Sequence, residues 1–243
     1  LRLSAGKILA VTGGMLAGLS IGRQGPSVQI AAGVMYSVRR WLSPNGRGEL
    51  RDRELLVAGG AVGIAAAFNT PLGGIVFAIE ELSRRIEQRS SGLMLAAIVV
   101  GGLVAVSAFG NLSYFGRVHA EAVAWWDLLL PGALVTLGCG LGGGLLARLL
   151  IASLTGLPDR VSALRRQYPV RFAAACGFVV ALIGLVTQGA SVGGGHHHTR
   201  ELLAMEDLQQ HQMLGYTGLK FVSSWLSAWS GVPGGIFGPS LSI

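Results

Sequence analysis

Stretches free of Asp, Glu, Lys and Arg run over residues 55–79, 90–116, 128–147, 172–199 and 221–243. Each reaches the ~20 residues that an α-helix needs to cross a bilayer. Two further stretches, 8–22 and 24–38, have 15 residues apiece and are separated by Arg23 alone. They are too short for a simple crossing. Short apolar segments interrupted by Gly or Pro mark helices that break and meet inside a membrane.

The interruptions share a form. Gly22-Arg23-Gln24-Gly25-Pro26 stops one helix and starts another, because Pro suits a first helical turn and is hostile to a helix interior. Phe68-Asn69-Thr70-Pro71 divides the 55–79 stretch into two half-length pieces, and Gly231-Val232-Pro233-Gly234-Gly235-Ile236-Phe237-Gly238-Pro239 makes a third break. Open backbone cannot face lipid, where each unsatisfied amide costs several kcal/mol. The breaks therefore lie within protein or line a wet cavity. Small residues also recur four apart, at Gly14, Gly18 and Gly22, at Gly59 and Gly63, and at Gly138 and Gly142. That spacing lets helix backbones approach closely in lipid, and packing is the expected role of these glycines.

Composition narrows the class. Hydrophobic residues make up 51% and charged residues only 13% of the chain, about half the charge an ordinary soluble domain carries. Glycine supplies 38 of 243 residues without a collagen triplet. The pattern predicts an all-α, polytopic integral membrane protein. The formal net charge of +7 would suggest nucleic acid in a soluble chain, but the arginines gather at the edges of apolar runs, as in Arg39-Arg40, Arg84-Arg85 and Arg165-Arg166. That placement fits anchoring at lipid headgroups, so no nucleic-acid partner is expected. Trp125-Trp126 and Tyr114 flank apolar runs like an interfacial belt. Cys139 and Cys176 lie in apolar segments and are expected to be buried small hydrophobes. Opening mid-pattern at Leu1 and ending in an apolar segment at Ile243, the chain reads as one membrane-domain fragment over 1–243, incomplete at both ends.

A helix N-terminus offers unpaired amides and roughly half a positive charge, so it can bind an anion in a low-dielectric interior. The chain from Gly25 onward and the segment Ile236-Phe237-Gly238 are two such starts, each preceded by glycine and stiffened by proline. A permeating ion must also leave, and partial charges suit that better than buried arginines.

At this point the sequence resembles a known family. Gly22-Arg23-Gln24-Gly25-Pro26 is similar to the Gly-Lys/Arg-Glu-Gly-Pro motif of the CLC chloride channel and transporter family, and Gly235-Ile236-Phe237-Gly238-Pro239 is similar to its Gly-x-Phe-x-Pro motif. Between them, Ala65-Ala66-Ala67-Phe68-Asn69-Thr70-Pro71-Leu72-Gly73-Gly74 followed by Glu80-Glu81 resembles the CLC segment that joins two half-helices. The resemblance implies a CLC-type bundle with broken and re-entrant helices. It also implies a homodimer in a lipid bilayer, such as a bacterial inner membrane or a plasma membrane, with one chloride pathway per subunit. It maps chloride binding onto Gly25, Ile236, Phe237 and Gly238, with no cofactor. The family's Gly-Ser-Gly-x-Pro ligand segment would lie before Leu1 and its pore tyrosine after Ile243.

One position departs from the pattern. The family's external gate is a glutamate, and Gln24 stands in its place. An amide cannot titrate near neutral pH and has no charge to compete with chloride. The expectation is a voltage-gated-type chloride channel with its gate biased open and without proton coupling. The alternative is a proton-coupled chloride antiporter. Glu81 matches the internal proton-transfer glutamate of the exchanger branch, whereas Glu80 is read as a helix-end residue pairing with Arg84 or Arg85. Lys7 matches a lysine buried near the pathway, with snorkelling to the interface as the competing account. Arg23 is read as bracing the break through freed carbonyls.

Other classes fit less well. His196-His197-His198 reads as a solvated loop, and together with His119 and His211 it offers no zinc spacing. Gly18-Leu19-Ser20-Ile21-Gly22 fits the Gly-x-Ser-x-Gly pattern, which leaves a membrane hydrolase using Ser20 as a remote alternative; the expectation is that the protein is not an enzyme. A broken-helix carboxylate transporter is a further alternative, though the small neutral residues at the breaks favour a monatomic anion. By the positive-inside rule the 39–54 segment is cytoplasmic, while the resemblance puts it outside; we follow the resemblance.

Overall fold

The computed structural model describes residues 2–42, 52–83, 88–110, 124–155, 160–204 and 210–243. Among them every regular element is helical, and the only β-type pairing is an isolated antiparallel bridge between Gly22 and Gly235. The all-α expectation holds. Two compact units form, one from Leu1–Gly13, Gly22–Gly116 and Pro233–Phe237, the other from Gly14–Ile21, Arg117–Val232 and Gly238–Ile243.

The first unit contains most of α1 (Arg2–Leu16), then α2 (Gln24–Leu42), α3 (Asp52–Phe68), α4 (Pro71–Phe77) and α5 (Gln88–Phe109). Helix α3 is central, packed on both α2 and α5. Its glycines explain how closely α2 comes. A side-chain carbon at Gly59 would lie 2.7 Å from Ala32 Cα, and one at Gly63 would lie 2.7 Å from the Ser27 carbonyl oxygen. Backbone thus meets backbone, as the four-residue glycine spacing predicts. On the face of α3 turned toward α4 and α5, Ala61, Ala65, Ala78 and Ile98 are wholly buried.

The middle break falls where the sequence places it. Asn69 takes a left-handed φ of 56°, which a short polar side chain tolerates, and its Nδ2 donates to the Gly110 carbonyl at 2.8 Å. The Thr70 side chain then accepts from the Gly73 amide at 3.1 Å, with Pro71 at the start of α4. That is a complete N-cap. Helix α4 continues into a π-helical turn, Ala78–Ser83, on which Glu80 is exposed. The Glu81 side chain, Arg84, Arg85, Tyr114, His119, residues 43–51 of the 39–54 segment, and the side chains of Trp125 and His211 lie outside the described residues.

The second unit carries α6 (Trp125–Thr155), α7 (Arg160–Gln167), α8 (Pro169–Val186), α9 (His196–Ala204), α10 (Gln210–Trp229) and the last residues of α11 (Phe237–Leu241). Trp126–Thr155 and Pro169–Val186 are long and apolar enough to cross a membrane. Helix α10 packs against α8 and α6, with Phe172 edge-on to Trp229 at 5.1 Å and Trp225 stacked on Trp229 at the same separation.

Three expectations change here. His196-His197-His198 is not a loop but opens α9: Gly195, at a φ of 76°, ends the preceding turn, and the Thr199 amide bonds back to its carbonyl at 3.0 Å. Cys176 is buried but Cys139 is exposed, because α6 shows almost all of its surface. For the same reason Gly138 and Gly142 face open space rather than a packed helix.

Candidate functional site

Helix α1 ends at Leu16, α2 starts at Gln24 and α11 starts at Phe237, and the first unit joins the backbone just ahead of these two starts. The Gly22 amide donates to the Gly235 carbonyl at 2.6 Å, and the Gly235 amide donates back to the Gly22 carbonyl at 2.8 Å. This reciprocal pair satisfies backbone that could not be left open in a membrane. It also leaves no room for a side chain at Gly235. A side-chain carbon on Gly235 would sit 2.9 Å from both the Gly22 carbonyl oxygen and the Gly25 nitrogen, and one on Gly25 would sit 3.3 Å from Gly235 Cα.

Helix α2 begins at the paired glycines. The Ser27 amide and hydroxyl both donate to the Arg23 carbonyl, at 2.9 and 2.8 Å, which closes the first turn around Pro26. Amides in a first turn have no acceptor within their own helix, and here they carry the positive end of a 19-residue helix. Gln24 is buried with 2% of its surface exposed, while Arg23 and Gly25 on either side are exposed. Phe237 stands edge-on to Phe68 at a ring separation of 5.2 Å, so the end of α3 meets the same place. Thus Gln24, Gly25, Ile236 and Phe237 belong to one unit, together with the middle break at Phe68.

The remaining sequence-derived residues fall as follows. Gly238 is buried and belongs to the second unit. Lys7 is partly exposed on α1. Helix α11 has only five residues, so its dipole is small and its contribution lies in individual backbone amides. Ser20 offers nothing to hydrolysis. It is buried, its hydroxyl lies 3.0 Å from the Ser224 hydroxyl, and it follows a helix instead of the strand that a nucleophile elbow requires.

Sequence reasoning missed a buried polar set in the second unit. Lys220 has none of its surface exposed, and Ser223, Ser224 and Ser227 beside it on α10, with Ser230 just past its end, are buried as well. Their spacing of three and four residues is a polar stripe along one helix face, and that was the signal available.

The model of the voltage gated chloride channel family matches residues 1–243. An H(+)/Cl(-) exchange transporter ClcA of Klebsiella pneumoniae is 29% identical, the match covering 98% of this chain and 49% of that protein. A ClcB-like protein of Ralstonia nicotianae is 31% identical, covering 92% and 51%. The ClcA of Salmonella arizonae is 28% identical over 98% and 49%. The chain spans about half the length of these curated relatives.

Proposed function

The chain belongs to the voltage gated chloride channel family, and from that premise we propose that the full-length protein moves chloride across a membrane past the paired helix starts at Gly22–Gly25 and Gly235–Phe237. As a member of that family it is an integral membrane protein and not an enzyme. The observation that carries the proposal is the reciprocal Gly22–Gly235 pairing, which brings one broken-helix start against the approach to the other.

Chloride is held by the amides of Gly25, Ile236, Phe237 and Gly238, with no cofactor. Backbone dipoles attract a halide without the deep well of a buried guanidinium, so the ion binds and is released. Lys7 and Arg23 raise the local potential for anions. The protein works as a homodimer with one pathway in each subunit. Ligands from the parts of the relatives that this chain does not span complete each pathway.

Gln24 is the gate. An ionised glutamate at this position competes with chloride for the same positive field and withdraws once protonated, which couples proton movement to chloride movement. Gln24 has the shape of the protonated acid and no charge. The protein therefore conducts chloride with little stoichiometric proton flux. A second reading, a proton-coupled antiporter, draws support from the relatives named as H(+)/Cl(-) exchange transporters and from Glu81, read as the internal proton-transfer residue. Glu81 acts as that proton donor only where the gate can also titrate.

Proteoliposomes containing the full-length protein decide between the readings, with a chloride electrode and a pH electrode recording together. The Gln24 protein is expected to release chloride without proportional proton uptake. Gln24→Glu is expected to restore a fixed proton-to-chloride ratio. The carboxylate introduced by Gln24→Glu is neutral at low pH, where it leaves the site to chloride, and ionised at high pH, where it competes with chloride. Flux through that variant should fall as pH rises, while the Gln24 protein stays level. A fixed ratio in the Gln24 protein overturns uncoupling, and absence of chloride flux overturns the proposal itself.

A further inference from the structure

Among the described residues of the second unit, Lys220 is the largest side chain with no exposed surface. Its Nζ donates to the carbonyls of Ser191 and Gly193, both at 2.8 Å. A buried ammonium persists only where it is closely paired or hydrogen-bonded. Here its described partners are two backbone oxygens of the glycine-rich turn that follows α8. The lysine therefore fixes that turn against α10, and its own carbonyl accepts from the Ser224 hydroxyl at 2.7 Å.

The clamped turn reaches two other stretches of the same unit. The Gly193 amide donates to the Leu19 carbonyl at 3.1 Å. Next to Leu19, the Ser20 amide donates to the Ser227 hydroxyl at 2.9 Å, and the Ser20 hydroxyl lies 3.0 Å from that of Ser224. On its other side, Gly195 abuts Ser242 so closely that a side-chain carbon there would meet the Ser242 hydroxyl, would lie 2.6 Å from Ser242 Cβ, and would lie 3.1 Å from the Lys220 Cε. Leu19 is five residues before Gln24, and Ser242 is five residues after Phe237. One turn, held by one lysine, thus touches the chain leading into the first helix start and the chain leaving the second.

We infer that Lys220 is a positioning residue for chloride: by clamping the 191–195 turn against Ser242 it holds the segment of the same unit that carries the Gly238 amide. The inference rests on the proposed chloride function. A site of partial charges is sensitive to such support, because its donors must stay within about half an ångström of their working geometry. The lysine acts through the turn and not through contact with the ion.

The test uses the full-length protein, purified in detergent for calorimetric titration with sodium chloride and reconstituted for chloride and nitrate flux. Lys220→Met removes both clamping bonds and should weaken chloride binding by at least ~10-fold, the scale lost when the outer support of a bound ion is removed. Lys220→Arg keeps donors for both carbonyls and should restore most of the affinity. Gly195→Ala changes no charge but pushes the turn off Ser242, and it should weaken binding and alter the chloride-to-nitrate flux ratio as Lys220→Met does. Normal affinity in Gly195→Ala beside a defect in Lys220→Met would show a charge effect alone and overturn the positioning role. Normal affinity in a folded Lys220→Met protein would also overturn it. If Lys220→Met yields no folded protein, Gly195→Ala and Ser227→Ala decide, and unchanged affinity in both rejects the inference. Failure of the unsubstituted protein to bind or move chloride would instead reject the proposed function, a distinct result.

Discussion

Gly235 shows how little room the candidate site leaves. Its amide and carbonyl are both committed to Gly22, and the space where a β-carbon would go is bounded at 2.9 Å by the Gly22 oxygen and the Gly25 nitrogen. Those neighbours are backbone atoms and cannot swing aside as the end of a flexible side chain could. Gly235→Ala should therefore part the two breaks. We expect chloride flux from proteoliposomes to drop at least ~10-fold while the protein still purifies as a monodisperse species, since a misplacement of about 1 Å is enough for losses of that order. Wild-type flux in this variant would mean that the pairing is irrelevant to permeation. The sequence revealed that a glycine was needed here, through the Gly-rich string around Pro233, but not what it was needed against. Gly22 lies near the opposite end of the chain, and no local pattern encodes that contact.

At the scale of elements, the breaks were legible because proline and glycine act locally. Pro71 cannot continue α3 and suits the start of α4, Asn69 accepts the left-handed turn between them, and Thr70 supplies the cap. Thr70→Ala removes an acceptor from the Gly73 amide and should destabilise the protein by ~1 kcal/mol. A lower melting temperature in detergent would register the loss, and an unchanged one would mean that the cap is replaceable. Element lengths were less legible. The charge-free stretch 128–147 underestimates α6, which runs on through Arg148 to Thr155, because a long basic side chain can turn its charge toward water while its stem stays beside the helix. The composition of the three histidines opening α9 suggests a solvated loop, whereas the decisive event is the turn at Gly195. The buried stripe on α10 escapes notice in the sequence since each serine is ordinary alone, and only packing against the 191–195 turn gives Lys220 its partners.

For the whole molecule, the exposed apolar surface of α6 is the part that a bilayer completes. Leu134, Leu137 and Leu141 are each more than half exposed along it, with Cys139 among them in the middle of the helix. In native membranes, a charged, water-soluble maleimide should leave Cys139 unmodified while a lipid-soluble one labels it, and Cys176 should resist both until the protein is unfolded. Rapid labelling of Cys139 by the charged reagent would place that face of α6 in water. What the sequence determined by itself was the solvent, the helical class, the three break points and the residue types at each, since all of these follow from hydropathy, charge spacing and the short-range behaviour of glycine and proline. Only the tertiary structure decided which break meets which, through the reciprocal bonds of Gly22 and Gly235, and which polar residues go inside, through the enclosure of Lys220. Those outcomes depend on backbone groups far apart in the chain, whose need for partners away from water is universal and whose choice of partner is settled only by packing.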